Sequence, residues 1–196
     1  MARSKKAKTK AVKPVKKGTS KSVVKKMKKP AKIAKKLVKK SKKVLAQPKG
    51  YHNATPYLVV NDAEKALTFY QKAFGAKQTV RINRPDGKIA HAEFKIGDSK
   101  FMLGEPCPVK GGKTPKDCGG SPMSIYLYVK NVDATLKACE SVGGKIIRPA
   151  ENMFYGDRNA MIEDISGYSW CIATHVEDVT PAQLKKRAAA LFGNKK

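Results

Sequence analysis

The spacing of apolar residues changes character at residue 57. Tyr57-Leu-Val-Val60 is a short β-rich run. Asn61-Asp62 then offers an N-cap, and Ala66, Leu67, Phe69, Tyr70 and Phe74 fall near one face of a helix predicted over 63–74, which Gly75 ends. Strands are predicted at about 78–83, 88–96 and 99–104, with Asp86-Gly87 and Gly97-Asp98 as hairpin turns. The same order then returns. A strand is predicted at 124–129, a helix at 132–142 before Gly143-Gly144, and strands near 145–149, 159–164 and 168–174. The two series are 69 residues apart: Val60 answers to Val129, Leu67 to Leu136 and Gly75 to Gly144. Two β-α-β-β-β units predict an α+β fold with an internal duplication. A stretch rich in Gly, Pro and Lys (105–122) joins the halves, and a last helix is predicted from the N-cap Thr180, with Pro181 at its first position, to about residue 192.

Residues 1–50 have no such pattern. They hold 21 of the 42 basic residues, no acidic residue and no aromatic. Such a segment cannot bury enough apolar surface to offset the entropy of ordering, so it is read as a disordered basic tail. Pro14, Pro30 and Pro48 interrupt any long helix, although 31–45 could become helical once its charges are neutralised. The domain plan is therefore a tail over 1–50 and a folded domain over 51–196, with halves at 54–104 and 123–175 and the final helix at 180–192.

Charge sets the tail's expected partner. The net charge is +27, yet beyond residue 50 the basic excess is modest, 21 basic against 15 acidic residues. The Ala-Lys-Lys and Val-Lys-Lys repeats resemble the tails of linker histones and bacterial histone-like proteins, which implies nucleic-acid phosphates as the partner. The paired lysines Lys5, Lys6, Lys16, Lys17, Lys25, Lys26, Lys28, Lys29, Lys35, Lys36, Lys39 and Lys40 are the candidate contacts. Without aromatics the tail has nothing to stack on bases, so base-specific reading is not expected. The alternative is a solvated polycation that aids solubility or meets anionic lipid. No apolar run approaches a membrane span and no secretory core is present. Cys107, Cys118, Cys139 and Cys171 form no CxxC pair and are expected as reduced thiols in a cytoplasmic protein, with nucleoid association, or a nuclear setting in a eukaryote, following from the tail.

Particular runs carry a family resemblance. Thr55-Pro-Tyr-Leu-Val-Val-Asn-Asp62, then Phe69-Tyr70 and Phe74-Gly75-Ala76, resembles the opening of vicinal-oxygen-chelate proteins, the glyoxalase/bleomycin-resistance/dioxygenase group. Pro85-Asp-Gly-Lys-Ile-Ala-His-Ala-Glu93, Phe154-Tyr-Gly-Asp-Arg158, Asp164-Ile-Ser-Gly-Tyr-Ser-Trp170 and Ile172-Ala-Thr-His175 are similar to its PhnB-like branch, and the likeness covers about 51–193. The resemblance implies two βαβββ modules forming a cupped mixed sheet, a ligand cavity in the cup and a homodimer. Metal enzymes of the group hold a divalent ion with four inward side chains, usually His and Glu. Carried over, those positions are Thr55, Met102, Ser124 and Cys171, and they share the 69-residue offset. Hydroxyls, a thioether and a single thiol are a poor donor set for such an ion, so no metal and no cofactor is expected.

Strand alternation places side chains relative to that implied cup. Ile125, Leu127 and Val129 share one face, and Ser124, Tyr126 and Tyr128 the other; Trp170 and Ile172 oppose Ser169, Cys171 and Ala173. The cavity would present Tyr57, Met102, Tyr126, Tyr128 and Cys171 to a flat, partly apolar ligand. His91 and Glu93, two apart on one strand, are candidate catalytic residues: a base with its proton partner or alternative metal ligand, or else a cross-strand ion pair at the rim. Tyr155, Asp157 and Arg158, on a loop before the seventh strand, either gate the pocket and meet an anionic ligand or form a structural salt bridge. His175 is expected at the surface and His52 is assigned no role. Three functions stay open: small-molecule binding in the cup without a metal, a lyase or dioxygenase-like enzyme using His91 and Glu93, and a DNA-associated accessory protein whose domain is a dimerising scaffold.

Overall fold

Asp62 opens the first helix. Its carboxylate accepts the backbone N–H of Lys65 at 3.0 Å, the side-chain cap that supplies a partner for a helix-start donor. The computed structural model describes residues 44–107 and 111–193. Helix α1 runs Ala63–Phe74 and ends on Gly75 at φ 67°, a left-handed conformation that glycine adopts without strain. Around it lie β1 (Tyr57–Val59), β2 (Lys77–Asn83), β3 (Ile89–Ile96) and β4 (Ser99–Gly104). The second half repeats this order with β5 (Ser124–Tyr128), α2 (Val132–Ser141), β6 (Lys145–Asn152), β7 (Asp157–Glu163) and β8 (Ser169–His175). A 3-10 turn, Lys116–Cys118, lies between the halves, and α3 (Pro181–Phe192) follows β8 with Thr180 and Gln183 forming a reciprocal capping box.

Each half builds a four-stranded mixed sheet, in the orders β1-β4-β3-β2 and β5-β8-β7-β6. The expected α+β architecture of two βαβββ modules is what the chain forms. In each sheet the first strand runs parallel to the last, and Tyr57 stands opposite Met102 as Tyr126 stands opposite Cys171. The duplication is therefore kept in the ladders at the offset read from the sequence. It slips by one residue at the hairpins. Ala92 faces Leu103, but Ala160 faces Ile172. In consequence the second-half counterparts of His91 and Glu93 are Asn159 and Met161. Strand β6 continues past Pro149 to Asn152, which an edge strand tolerates because its outer N–H groups need no partner.

The halves share one core. Tyr70 and Phe74 of α1 lie against Trp170 of β8, with ring centroids 5.5 and 4.8 Å apart, and Phe101 of β4 completes the cluster at 5.7 Å. Asp164, 3% exposed, sits in the β7–β8 turn among these rings. It accepts the Tyr70 hydroxyl at 2.7 Å, the Trp170 indole N–H at 2.9 Å, and the backbone N–H groups of Ser166 and Tyr168. Burial raises its pKa, and these donors only partly oppose the shift. Tyr168 reaches across to β1, donating to the Val59 carbonyl at 3.1 Å and accepting the Val59 N–H at 2.8 Å. The lysines proposed to meet nucleic acid, Lys5 to Lys40, lie outside the described residues. Among the described residues no helix is long and apolar enough to cross a membrane.

Candidate functional site

Period-two alternation divides each sheet into a face covered by its helix and an open face. On the open face of the second half, Asp157 is the centre. It is only 4% exposed, yet three side chains hydrogen-bond to it. The Tyr126 and Tyr128 hydroxyls donate to Oδ2 at 3.0 and 2.9 Å, and Nδ1 of His175 lies 2.8 Å from Oδ1. The other imidazole nitrogen lies 3.0 Å from Asp178. Burial works to raise the Asp157 pKa, but the bonds from His175, Tyr128 and Tyr126 outweigh it and hold the carboxyl below its usual range. His175, between Asp157 and Asp178, is raised by both. Beside them Asn159 donates to the Tyr126 hydroxyl at 3.3 Å and also to Tyr155, and Arg148 donates to the Asn159 side-chain oxygen.

This arrangement has a chemical sense. The protons of Tyr126 and Tyr128 are both directed at Asp157, which leaves their oxygens as acceptors; that of Tyr126 already takes an N–H from Asn159. Their rings are 5.2 Å apart and inclined at 51°, and Tyr128 is 62% exposed. The surface is thus apolar in its faces and accepting at its edges.

The local chain path makes the cluster possible. Gly156, at φ 98°, lies so close to the segment after β8 that an added Cβ would collide with the Glu177 carbonyl oxygen. Its own carbonyl accepts the N–H groups of Val176 and Glu177 at 2.9 and 3.0 Å. That seam holds His175 and Asp178 against the start of β7. Asp157 and His175 are also direct partners in the β7–β8 ladder.

Asp157 and Arg158 begin β7 rather than lie on a loop before it, and as strand neighbours they point to opposite faces. Arg158 grips Asp133 at the start of α2, at 2.8 and 3.0 Å. His175 lies at the surface as expected, and it also takes part in the network. Cys171 lies beside Tyr126 in the ladder, and burial raises its thiol, so it stays protonated and weakly nucleophilic.

The first half carries a separate cluster. Glu93, 7% exposed, accepts the Tyr51 hydroxyl and the Lys100 ammonium at 3.3 Å, and Nε2 of His91 lies 3.5 Å from its other oxygen. Burial opposes ionisation, but these three bonds outweigh it and lower the pKa. Tyr57 stacks on His91 with centroids 5.9 Å apart, and Met102 faces Glu93 in the ladder. A hollow of about 660 Å³ lies here, bounded by Glu93 and Met102 on one side and residues 46–48 and 51–53 on the other. No hydrogen bond, ion pair or ring contact among the described residues joins Tyr57, His91, Glu93 or Met102 to Tyr126, Tyr128, Asp157 or Cys171. Direct contacts thus link these residues in two groups.

The divalent ion that the resemblance implies has no matching donors at the four carried-over positions. Thr55 precedes β1, Ser124 opens β5, and Met102 and Cys171 lie in β4 and β8; none supplies an imidazole or carboxylate. Among the described residues no group of three or more His, Cys, Asp or Glu side chains converges as a metal site would require.

Residues 51–172 match the model of the Glyoxalase/Bleomycin resistance protein/Dioxygenase superfamily. An uncharacterised protein of Mycobacterium tuberculosis H37Rv is 36% identical over 134 residues, covering 67% of this chain and 79% of that one. An Arabidopsis thaliana gene product of known structure aligns with TM-score 0.53 at 22% identity, over 63% of this chain and 98% of that one. A glyoxalase-related enzyme from Fulvimarina pelagi aligns with TM-score 0.51 at 20% identity, over 66% and 88%.

Proposed function

The chain belongs to the glyoxalase/bleomycin resistance protein/dioxygenase superfamily, and within it we propose that this protein binds a small organic molecule on the open face of its second half without a metal ion. The observation that carries the reading is the Asp157 cluster: two exposed tyrosine rings whose hydroxyl protons are turned inward. A ligand suited to it has a flat apolar part to lie on the rings and an N–H or O–H group to donate to the Tyr128 oxygen. Aromatic amines and amides meet that description. The motifs around His91 and Tyr155 support placement in the PhnB-like branch. Catalysis by His91 and Glu93 has less behind it, since Glu93 already holds three partners.

Two further parts of the reading rest on composition and exposure. Val80 and Ile82 on β2, and Ile146 and Ile147 on β6, are exposed apolar residues on strands at sheet edges, which supports a homodimer that covers them. The charge of the first 50 residues supports non-specific nucleic-acid binding by the tail.

The test is a thermal-shift screen of aromatic amines and amides with the full chain, with and without EDTA. A stabilising ligand that is indifferent to EDTA and lost in Tyr126→Phe/Tyr128→Phe supports the proposal. Stabilisation that disappears with EDTA, or survives the double substitution, overturns it.

A further inference from the structure

The segment that precedes β1 does not simply lead into the domain. Pro48 accepts the N–H of Tyr51 at 3.2 Å across a turn in which Gly50 takes φ 83°. Gln47 donates to the Tyr51 carbonyl. The turn aims the Tyr51 ring at the open face of the first half. There the phenol hydroxyl donates to Glu93, and the Lys100 ammonium lies 3.5 Å from the ring centroid. Glu93 is buried on β3, and Lys100 is a β4 residue two positions before Met102, its ladder partner. So the sheet supplies a carboxylate acceptor for a hydroxyl and a cation for an aromatic face, at the spacing of one phenol ring. The phenol comes from residue 51, well outside both strands, and the hollow beside it leaves room for a ligand of similar size.

We propose that Glu93 and Lys100 form a binding site for small phenols, and that Tyr51 occupies it as an internal ligand. The recognition is physical and complete: a charge-assisted O–H···carboxylate bond fixes the hydroxyl, and the cation–π contact fixes the ring. The occupant is tethered at the junction between the basic segment and the domain, so a free phenol must displace it. The site lies in the opposite half from the Asp157 cluster and stands independently of the proposal made for that cluster.

The probe is 4-methylphenol, the tyrosine side chain cut free at its β-carbon. It is titrated into full-length protein, Tyr51→Ala, Tyr51→Ser and Tyr51→Ala/Glu93→Gln, and the backbone amide shifts of Glu93, Lys100 and Met102 are followed by NMR. A site filled by Tyr51 nine-tenths of the time binds free phenol about tenfold more weakly than the emptied site. Binding at those amides that is about tenfold tighter in either single variant than in the parent, and lost in the double variant, is the expected result. Equal affinity in parent and single variants, no binding to either single variant, or binding that survives Glu93→Gln would each overturn the proposal. Toluene serves as the control: it lacks the hydroxyl, and if it binds as tightly as 4-methylphenol the site is merely apolar and the proposal fails.

Discussion

His175 and Asp157 face each other across the β7–β8 ladder, with Nδ1 of the one 2.8 Å from Oδ1 of the other. The pair gives stability a two-sided dependence on pH. His175 has its pKa raised in the folded chain, so its contribution is full below the ordinary value of about 6.5 and is lost as pH rises through the raised value. Asp157 has its pKa lowered, so its contribution is present above about 3.9 and is lost as acid carries the pH down through the depressed value. Melting temperature should therefore fall on both sides, and Asp157→Asn should flatten both limbs. An NMR titration of the His175 ring gives a direct check: an ordinary or lowered pKa would contradict the arrangement.

Asp164 is the larger stake in stability. Replacing it with Ala leaves the Tyr70 hydroxyl and the Trp170 indole N–H buried without their acceptor. We expect a loss of about 3 kcal/mol in urea unfolding. Asp164→Asn keeps one acceptor oxygen and should lose roughly half as much.

Gly156→Ala should be costly for a different reason. The added methyl meets the Glu177 carbonyl at a distance no van der Waals contact permits, and φ 98° is strained for any residue with a side chain. A loss of about 2–3 kcal/mol is expected. Because the seam would open, the His175 pKa should also relax toward its ordinary value, which the same NMR titration reads.

Arg158→Ala should be nearly silent. Its pair with Asp133 is partly exposed, and such pairs contribute about 0–1 kcal/mol. Since Arg158 lies on the helix side of the sheet, any ligand found for the Tyr126–Tyr128 surface should bind this variant within about twofold of the parent. A large loss would place the ligand on the other face.

Deleting residues 1–44 should abolish DNA retardation by the full chain, and log affinity of the full chain should fall steeply and linearly with log salt concentration. Binding that survives the deletion would assign it to the folded domain instead.

The elements were legible because helix caps and turns are local. Asp62 and Gly75 bound α1 in sequence and in structure alike. The constant offset carries Tyr57 onto Tyr126 and Met102 onto Cys171, and the ladders keep that correspondence. The site was only half legible. Alternation identified Tyr126 and Tyr128, but Asp157 and Arg158 were read as loop residues, where alternation does not apply, and the strand in fact begins at Asp157. His175 could have been found by counting outward from the turn at 164–168, since antiparallel residues equidistant from that turn must meet. Tyr51 had no such signal. Its position depends on a turn outside every repeat, and no pattern of spacing connects residue 51 to residue 93.

One consequence lies in the placement of Asp164. It belongs to the second repeat, yet one of its donors comes from the first, and the rings around it are drawn from both. A chain built of two like modules has here a shared hinge-pin. Severed between 105 and 122, neither piece would keep a finished interior: one would expose Tyr70 with its hydroxyl unanswered, the other a tryptophan with its cover removed. Heat should accordingly melt both halves in one transition, with calorimetric and van't Hoff enthalpies in agreement.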